Sequence, residues 1–178
     1  MKKLLAVVTL TLACHSLVWA GLETQVALFS WAAKSEGNEF GNGEALMSNI
    51  NAKLGYGGSN YFVGLAYDLF NNELVSPNRP RTSYGITLGL RPHNWYFDLS
   101  YFLLSRYQIA SQVEATQGNG LAFDIGYRWL LNNYFFLGTQ ISYRNFSYSK
   151  VDNAGVETTS TNKITSEYFP SLVLGLRF

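Results

Sequence analysis

From residue 46 onward, apolar side chains return at every second position, segment after segment. Leu46, Ile50, Leu54 and Tyr56 share one side of a stretch whose other side carries Asn49, Asn51, Lys53 and Gly55. Tyr61, Val63, Leu65, Tyr67 and Leu69 alternate with Phe62, Gly64, Ala66 and Asp68. Tyr84, Ile86, Leu88 and Leu90 alternate with Gly85, Thr87, Gly89 and Arg91. The same beat runs through Trp95, Phe97, Leu99, Tyr101 and Leu103, then Leu121, Phe123, Ile125, Tyr127 and Trp129, then Phe135, Leu137, Ile141 and Tyr143. It closes on Tyr168, Leu172, Leu174, Leu176 and Phe178. A period of two is the signature of a β-strand with two unlike faces. A further strand is predicted near 22–34, where apolar residues occupy both faces and leave the phase open. The count is eight strands.

The connections alternate in length. Gly57-Gly58-Ser59-Asn60, Pro92-His93-Asn94 and Leu131-Asn132-Asn133 read as short turns. The segments near 35–45, 70–81, 105–119 and 148–163 read as longer, polar loops. Successive connections of an up-and-down barrel fall on opposite rims, so one rim is predicted to carry the short turns and the other the loops.

Alternation alone does not say which face is inside. A soluble barrel turns its apolar face inward; a membrane barrel turns it outward to lipid. The polar face here carries Gly55, Gly64, Gly85, Gly89, Gly126, Gly138 and Gly175. Glycine weakens a strand facing water but leaves room for large neighbours inside a narrow barrel. Aromatics gather at both ends of the apolar faces: Tyr56, Tyr61, Trp95, Trp129, Phe135 and Phe178 toward the short turns, and Tyr84, Tyr101, Tyr143 and Tyr168 toward the loops. Two such girdles suit two water–lipid interfaces. The polar face also carries Lys53, Arg91, Arg128, Arg144 and Arg177 against Asp68, Asp98, Asp124 and Glu167. One Arg or Lys facing lipid at midplane costs about 2–4 kcal/mol, so these charges belong inside. The predicted fold is therefore all-β, an eight-stranded antiparallel up-and-down transmembrane β-barrel.

Composition agrees: 47% of the 178 residues are hydrophobic, 16% aromatic and 14% charged. Residues 1–20 read as a cleaved signal peptide, with Lys2 and Lys3, an apolar run and Val18-Trp19-Ala20 before Gly21. The barrel domain is then 21–178. Cys14 falls in the leader, so the mature chain has no disulfide option. Two of the 13 basic residues also fall there, leaving 11 against 12 acidic ones and no reason to expect nucleic acid.

These features together resemble the small eight-stranded outer-membrane barrels of Gram-negative bacteria, the OmpA-barrel, OmpX/Ail and OmpW-like group. The resemblance rests on the leader, the alternating strands and the closing Tyr168, Leu172, Leu174, Leu176 and Phe178. It implies that this closing pattern is read by the barrel-assembly machinery. It also implies outer-membrane lipids and lipopolysaccharide as partners, periplasmic termini and a monomeric state.

Three kinds of chemistry remain open. Lys53, Asp68, Arg91, Asp98, Asp124, Arg128, Arg144 and Glu167 form either a paired network filling the lumen or the lining of a narrow channel for small or apolar solutes; eight strands leave an interior just wide enough for side chains, which favours the network. Arg79-Pro80-Arg81 is a candidate clamp for a lipopolysaccharide phosphate, because guanidinium binds phosphate oxygens bidentately. The third class is a lipid-modifying enzyme. The mature chain's one histidine, His93, sits in a short turn, and no nucleophile or phosphate-loop motif occurs. No catalytic residue, metal or cofactor is expected. The leading role is structural or interactive: envelope integrity, lipopolysaccharide contact or adhesion.

Overall fold

The computed structural model describes residues 21–35, 43–72, 79–110, 112–159 and 165–178. Residues 1–20, with the expected signal peptide and its boundary, lie outside the described residues. So do Glu36, Glu39, Glu73 and Lys163 of the loops.

Nine strands occur in chain order: β1 Gly21–Ser35, β2 Gly43–Gly57, β3 Tyr61–Asn72, β4 Arg81–Leu90, β5 Trp95–Ala110, β6 Val113–Leu130, β7 Phe135–Asn153, β8 Val156–Thr159 and β9 Thr165–Arg177. Each pairs antiparallel with its predecessor from β2 to β8; β9 pairs with both β7 and β1. Eight strands thus close a ring, and β8 is a short flap paired to the far end of β7.

The short turns fall on one rim as predicted. Gly58 N–H donates to Tyr61 O (2.8 Å), and Trp95 N–H to Pro92 O (3.0 Å). Asn132 Oδ1 accepts from the N–H groups of Tyr134 and Phe135, both at 2.8 Å, a side-chain mimic of a backbone turn. His93, in the middle turn, has φ 56°.

The opposite rim differs from the sequence reading. The segments near 105–119 and 148–163 are largely strand, not loop. β5 runs to Ala110, which pairs with Val113 at the start of β6, and β7 doubles back through Ala154 (φ 53°) and Gly155 (φ 88°) into β8. These extensions are polar because they stand beyond the apolar belt, where the outer face meets water and only inward positions such as Ala115 and Tyr148 stay buried. They are held by ladders, Val113 with Asn153 and Lys150 with Thr159 among the pairs, although the β5–β6 register shifts three times between Phe102 and Ala110. Tyr107 and Tyr148 stack between them at 6.0 Å.

The sidedness is apolar out. Leu65, Leu88, Leu99, Ile141, Leu172 and Leu174 are all more than half exposed, while Lys53, Asp68, Arg91, Asp98, Asp124 and Arg144 are at 0–1%. An exposed apolar band of this extent is foreign to a water-soluble monomer. Tyr56, Trp95, Phe135 and Phe178 mark one edge of it and Tyr84, Tyr101 and Tyr168 the other, all exposed. A closed sheet satisfies its backbone without water. β1 is now in phase: Glu23, Gln25 and Ala27 point inward, and Leu22 and Leu28 outward.

Inward glycines make room for rings. A side chain at Gly126 would overlap the ring of Tyr96, and one at Gly175 the ring of Phe136. Gly120 lies against Phe146 in the same way. The lumen is thereby filled by side chains, with Tyr96, Phe136 and Phe146 at 0–2% exposure.

Candidate functional site

The chemistry of this chain is concentrated in the lumen. Among the described residues, five cations and five carboxylates form ion pairs in it, in two groups, one toward each rim, and Arg177, the ladder partner of Glu23, shares the inward phase at the short-turn rim.

Toward the short-turn rim, Lys53 on β2 donates to Asp98 Oδ2 (2.6 Å) and Asp124 Oδ2 (2.7 Å). Asp98 also pairs with Arg91, which follows β4, and accepts from Gln25 Nε2 at 3.2 Å. Glu23 lies 3.5 Å from Arg91 Nε and 3.4 Å from Arg128 Nη1. The Arg91 guanidinium lies over Phe62 (4.8 Å) and Tyr96 (5.3 Å), and Arg128 over Phe136 (5.4 Å). Tyr96 Oη donates to Gln140 Oε1 at 2.9 Å, so the ring that shields Arg91 is itself anchored.

Toward the long-loop rim, Asp68 on β3 pairs with Arg144 (2.7 Å) and Arg81 (3.3 Å), and accepts from Asn49 Nδ2 at 2.9 Å. Arg81 reaches Glu167 at 2.6 Å. Its guanidinium lies between the rings of Phe146 (3.9 Å) and Phe70 (4.9 Å), and Arg144 lies over Phe169 (5.1 Å). Stacking on ring faces stabilises desolvated cations that water no longer reaches. Glu167 keeps 17% of its side chain exposed and is the one carboxylate of the ten charges that faces the mouth. Beyond the belt, burial pushes the Tyr148 phenol up to about 12, so it stays protonated and shares a hydrogen bond with Ser105 (3.0 Å).

The eight sequence-named charges all face inward, divided between the two groups: Lys53, Arg91, Asp98, Asp124 and Arg128 in one, Asp68, Arg144 and Glu167 in the other. Two members were missing from that reading. Glu23 is fully buried and holds Arg91 and Arg128; the polar pair Glu23 and Gln25, two residues apart, was the signal that sets the phase of β1. Arg81 is the other, and it corrects an expectation. It opens β4 rather than belonging to a loop, is 1% exposed, and is committed to Asp68 and Glu167. Gln108 N–H donates to Pro80 O at 3.0 Å, so pairing to β5 begins before Arg81 and turns its side chain inward. It offers no guanidinium to an external phosphate. Arg79 stays outside β4, half-buried, its N–H bonded to Asn72 O at 3.2 Å. Tyr168, Leu172, Leu174 and Phe178 are exposed on the outer wall and Leu176 is half-buried there. Among the described residues, no group of three or more His, Cys, Asp or Glu side chains is arranged to hold a metal.

No protein-family model matches the sequence, and no curated protein matches it by sequence. Solved structures do match it. Neisserial surface protein A superimposes with a TM-score of 0.58 at 14% identity, over 89% of this chain and 96% of that one. The fold is that of a small outer-membrane β-barrel. The outer membrane protease OmpT from Escherichia coli also aligns, with a TM-score of 0.37 at 8% identity, over 90% of this chain and 94% of that one.

Proposed function

We propose that the protein is an integral outer-membrane barrel with a closed interior, acting through its outer surface in envelope integrity, lipopolysaccharide contact or adhesion rather than by catalysis or transport. The observation that carries this reading is the lumen: ten charges paired in two groups, roofed by rings and almost wholly buried. Removing any partner leaves a buried charge, so the groups act as permanent closures. The short-turn rim and both termini are assigned to the periplasm, and the β5–β6 and β7–β8 extensions to the exterior. These extensions carry Arg106, Glu114, Asp152 and the exposed Lys150–Glu157 pair (2.9 Å) to outside partners. Arg79 retains its place as a lipopolysaccharide contact. The outward face of β9, from Tyr168 to Phe178, is the surface offered to the barrel-assembly machinery.

Planar-bilayer recording tests the closed interior. Silence at physiological voltage is the expected result. Steady single-channel steps that change on Arg128→Ala would establish the channel reading in its place.

A further inference from the structure

The outer end of β6 is turned over relative to the rest of the strand. On β5, Ser105 is buried and Tyr107 stacks on buried Tyr148, so both face inward. Their ladder partners on β6 are Gly118 and Ala115, three residues apart where Ser105 and Tyr107 are two. β6 therefore carries one extra residue here, a β-bulge around Gln117, whose φ is 52°. A bulge bends its strand and re-aims the side chains beyond it. In the barrel proper the even-numbered residues of β6, Asp124 and Arg128 among them, point inward. Beyond the bulge buried Ala115 takes that side, and Glu114 swings outward with its ladder partners Gln108 and Asp152.

These outward side chains line a recess of about 610 Å³, with Thr82, Arg106 and Gln112 beside Gln108, Glu114 and Asp152. Thr82 and Arg106 are ladder partners, and so are Tyr84 and Leu104 one step below them. Tyr84 and Leu104 belong to the lipid-facing belt, at 54% and 66% exposure. Two residues of strand rise about 7 Å, so the recess begins directly above the edge of the belt, at the height of lipid headgroups. Its polar groups are one guanidinium, two primary amides, one hydroxyl and two carboxylates, a set that both donates and accepts. The side chains of Arg106, Gln108, Gln112 and Glu114 form no hydrogen bond or ion pair among the described residues. Asp152 Oδ1 accepts from Gly155 N–H at 2.8 Å.

We infer that this recess seats the neutral, hydroxyl-rich sugars of an outer-leaflet glycolipid. A sugar ring presents hydroxyls that donate and accept at close intervals, and the mixed polar set of the recess meets both roles. Charge argues against the other ligand classes. Two carboxylates against one guanidinium disfavour a phosphate, and the guanidinium on the same face disfavours a compact cation. Pro80, Ala110 and Val113 add small apolar patches for the C–H faces of a ring. Height argues for a lipid-borne sugar, because the recess rises from the belt edge itself. Arg79, next to Pro80 in the chain, then meets a phosphate of the same lipid while the recess takes its sugars. This inference deepens the lipopolysaccharide contact proposed above and rests on that reading.

The test uses the mature chain refolded into phosphatidylcholine nanodiscs. The probe is the core oligosaccharide released from purified lipopolysaccharide by mild acid and stripped of phosphate with hydrofluoric acid. The side-chain amide resonances of Gln108 and Gln112 should shift saturably as it is added. Arg106→Ala and Glu114→Gln should each weaken binding about tenfold, the loss of one hydrogen bond to a charged group. Both positions lie on the outer face, so both variants should keep the parent's unfolding transition. Arg79→Ala and added salt should leave binding of the stripped probe unchanged. An oligosaccharide that binds only with its phosphates in place, or equally well to the parent, Arg106→Ala and Glu114→Gln, overturns the sugar site and leaves the lipopolysaccharide contact standing. Binding of the stripped oligosaccharide without binding of intact lipopolysaccharide overturns the lipid-borne source, and with it the contact proposed above. Silence from both probes removes both.

Discussion

Asp98 and Asp124 stand directly opposite each other on β5 and β6, both fully buried. Like charges at such a position repel, and one ammonium, Lys53, reconciles them from across the lumen. Lys53→Met keeps the volume and removes the charge. Breaking a buried pair in this way costs about 3–5 kcal/mol. Urea unfolding in lipid vesicles should show a loss of that order. Adding Asp124→Asn should recover much of it, because Asp98 still has Arg91 while Asp124 is then neutral. Equal stabilities of all three forms would mean that the lysine is not holding the carboxylates.

The strand pattern from residue 46 onward was legible because lipid and lumen impose opposite demands on alternate residues; a charge such as Arg128 has only one affordable side. The phase of β1 was not, because Ala27 and Phe29 also face inward and dilute the contrast with Leu22 and Leu28. That hid Glu23. The hairpin extensions were read as loops because above the belt no such demand exists. Arg81 was misplaced by one residue at a strand boundary, and its partners Asp68 and Glu167 lie too far along the chain for spacing to reveal. Nor does any local pattern announce that β1 pairs with β9, from Glu23 with Arg177 to Leu28 with Leu172: pairing between the two ends of a chain is a property of the closed ring.

Arg81→Ala and Arg79→Ala should separate interior from surface. The first strands Glu167 and removes a guanidinium from between Phe70 and Phe146. Its expected cost is about 3–5 kcal/mol, as for other broken buried pairs. The second touches no ion pair seen among the described residues and should leave unfolding unchanged within about 0.5 kcal/mol. Binding of purified lipopolysaccharide should fall in Arg79→Ala, with folding intact. A stable Arg81→Ala protein would return that residue to the surface.

Gly126 and Tyr96 are packed as one unit, ring over bare backbone, with the phenol tied to Gln140. Gly126→Ala forces the ring aside, and overpacking of this kind costs about 1–3 kcal/mol. In a Tyr96→Ala background the same change should cost almost nothing. Residues in contact show such coupling, at about 0.5–3 kcal/mol. Additive losses would show that the glycine serves backbone geometry rather than the ring.

Leu88 and Ser83 lie on one strand and test the two faces against each other. Leu88 is 58% exposed near the middle of the belt, and Ser83 is buried in the lumen, bonded to Ser105 at 2.8 Å. Leu88→Arg places a guanidinium among acyl chains, at about 2–4 kcal/mol near midplane. The penalty should shrink in Leu90→Arg, two residues nearer the short-turn rim, since it falls to about 0–1 kcal/mol at the interface. Ser83→Leu, by contrast, buries no charge but crowds a filled lumen and breaks a hydrogen bond, and its cost should not depend on the lipid. Measured in vesicles of two thicknesses, the Leu88→Arg penalty should grow with the thicker bilayer while that of Ser83→Leu stays constant. The reverse pattern would invert the barrel, with apolar side chains sheltered inside and the charges facing solvent.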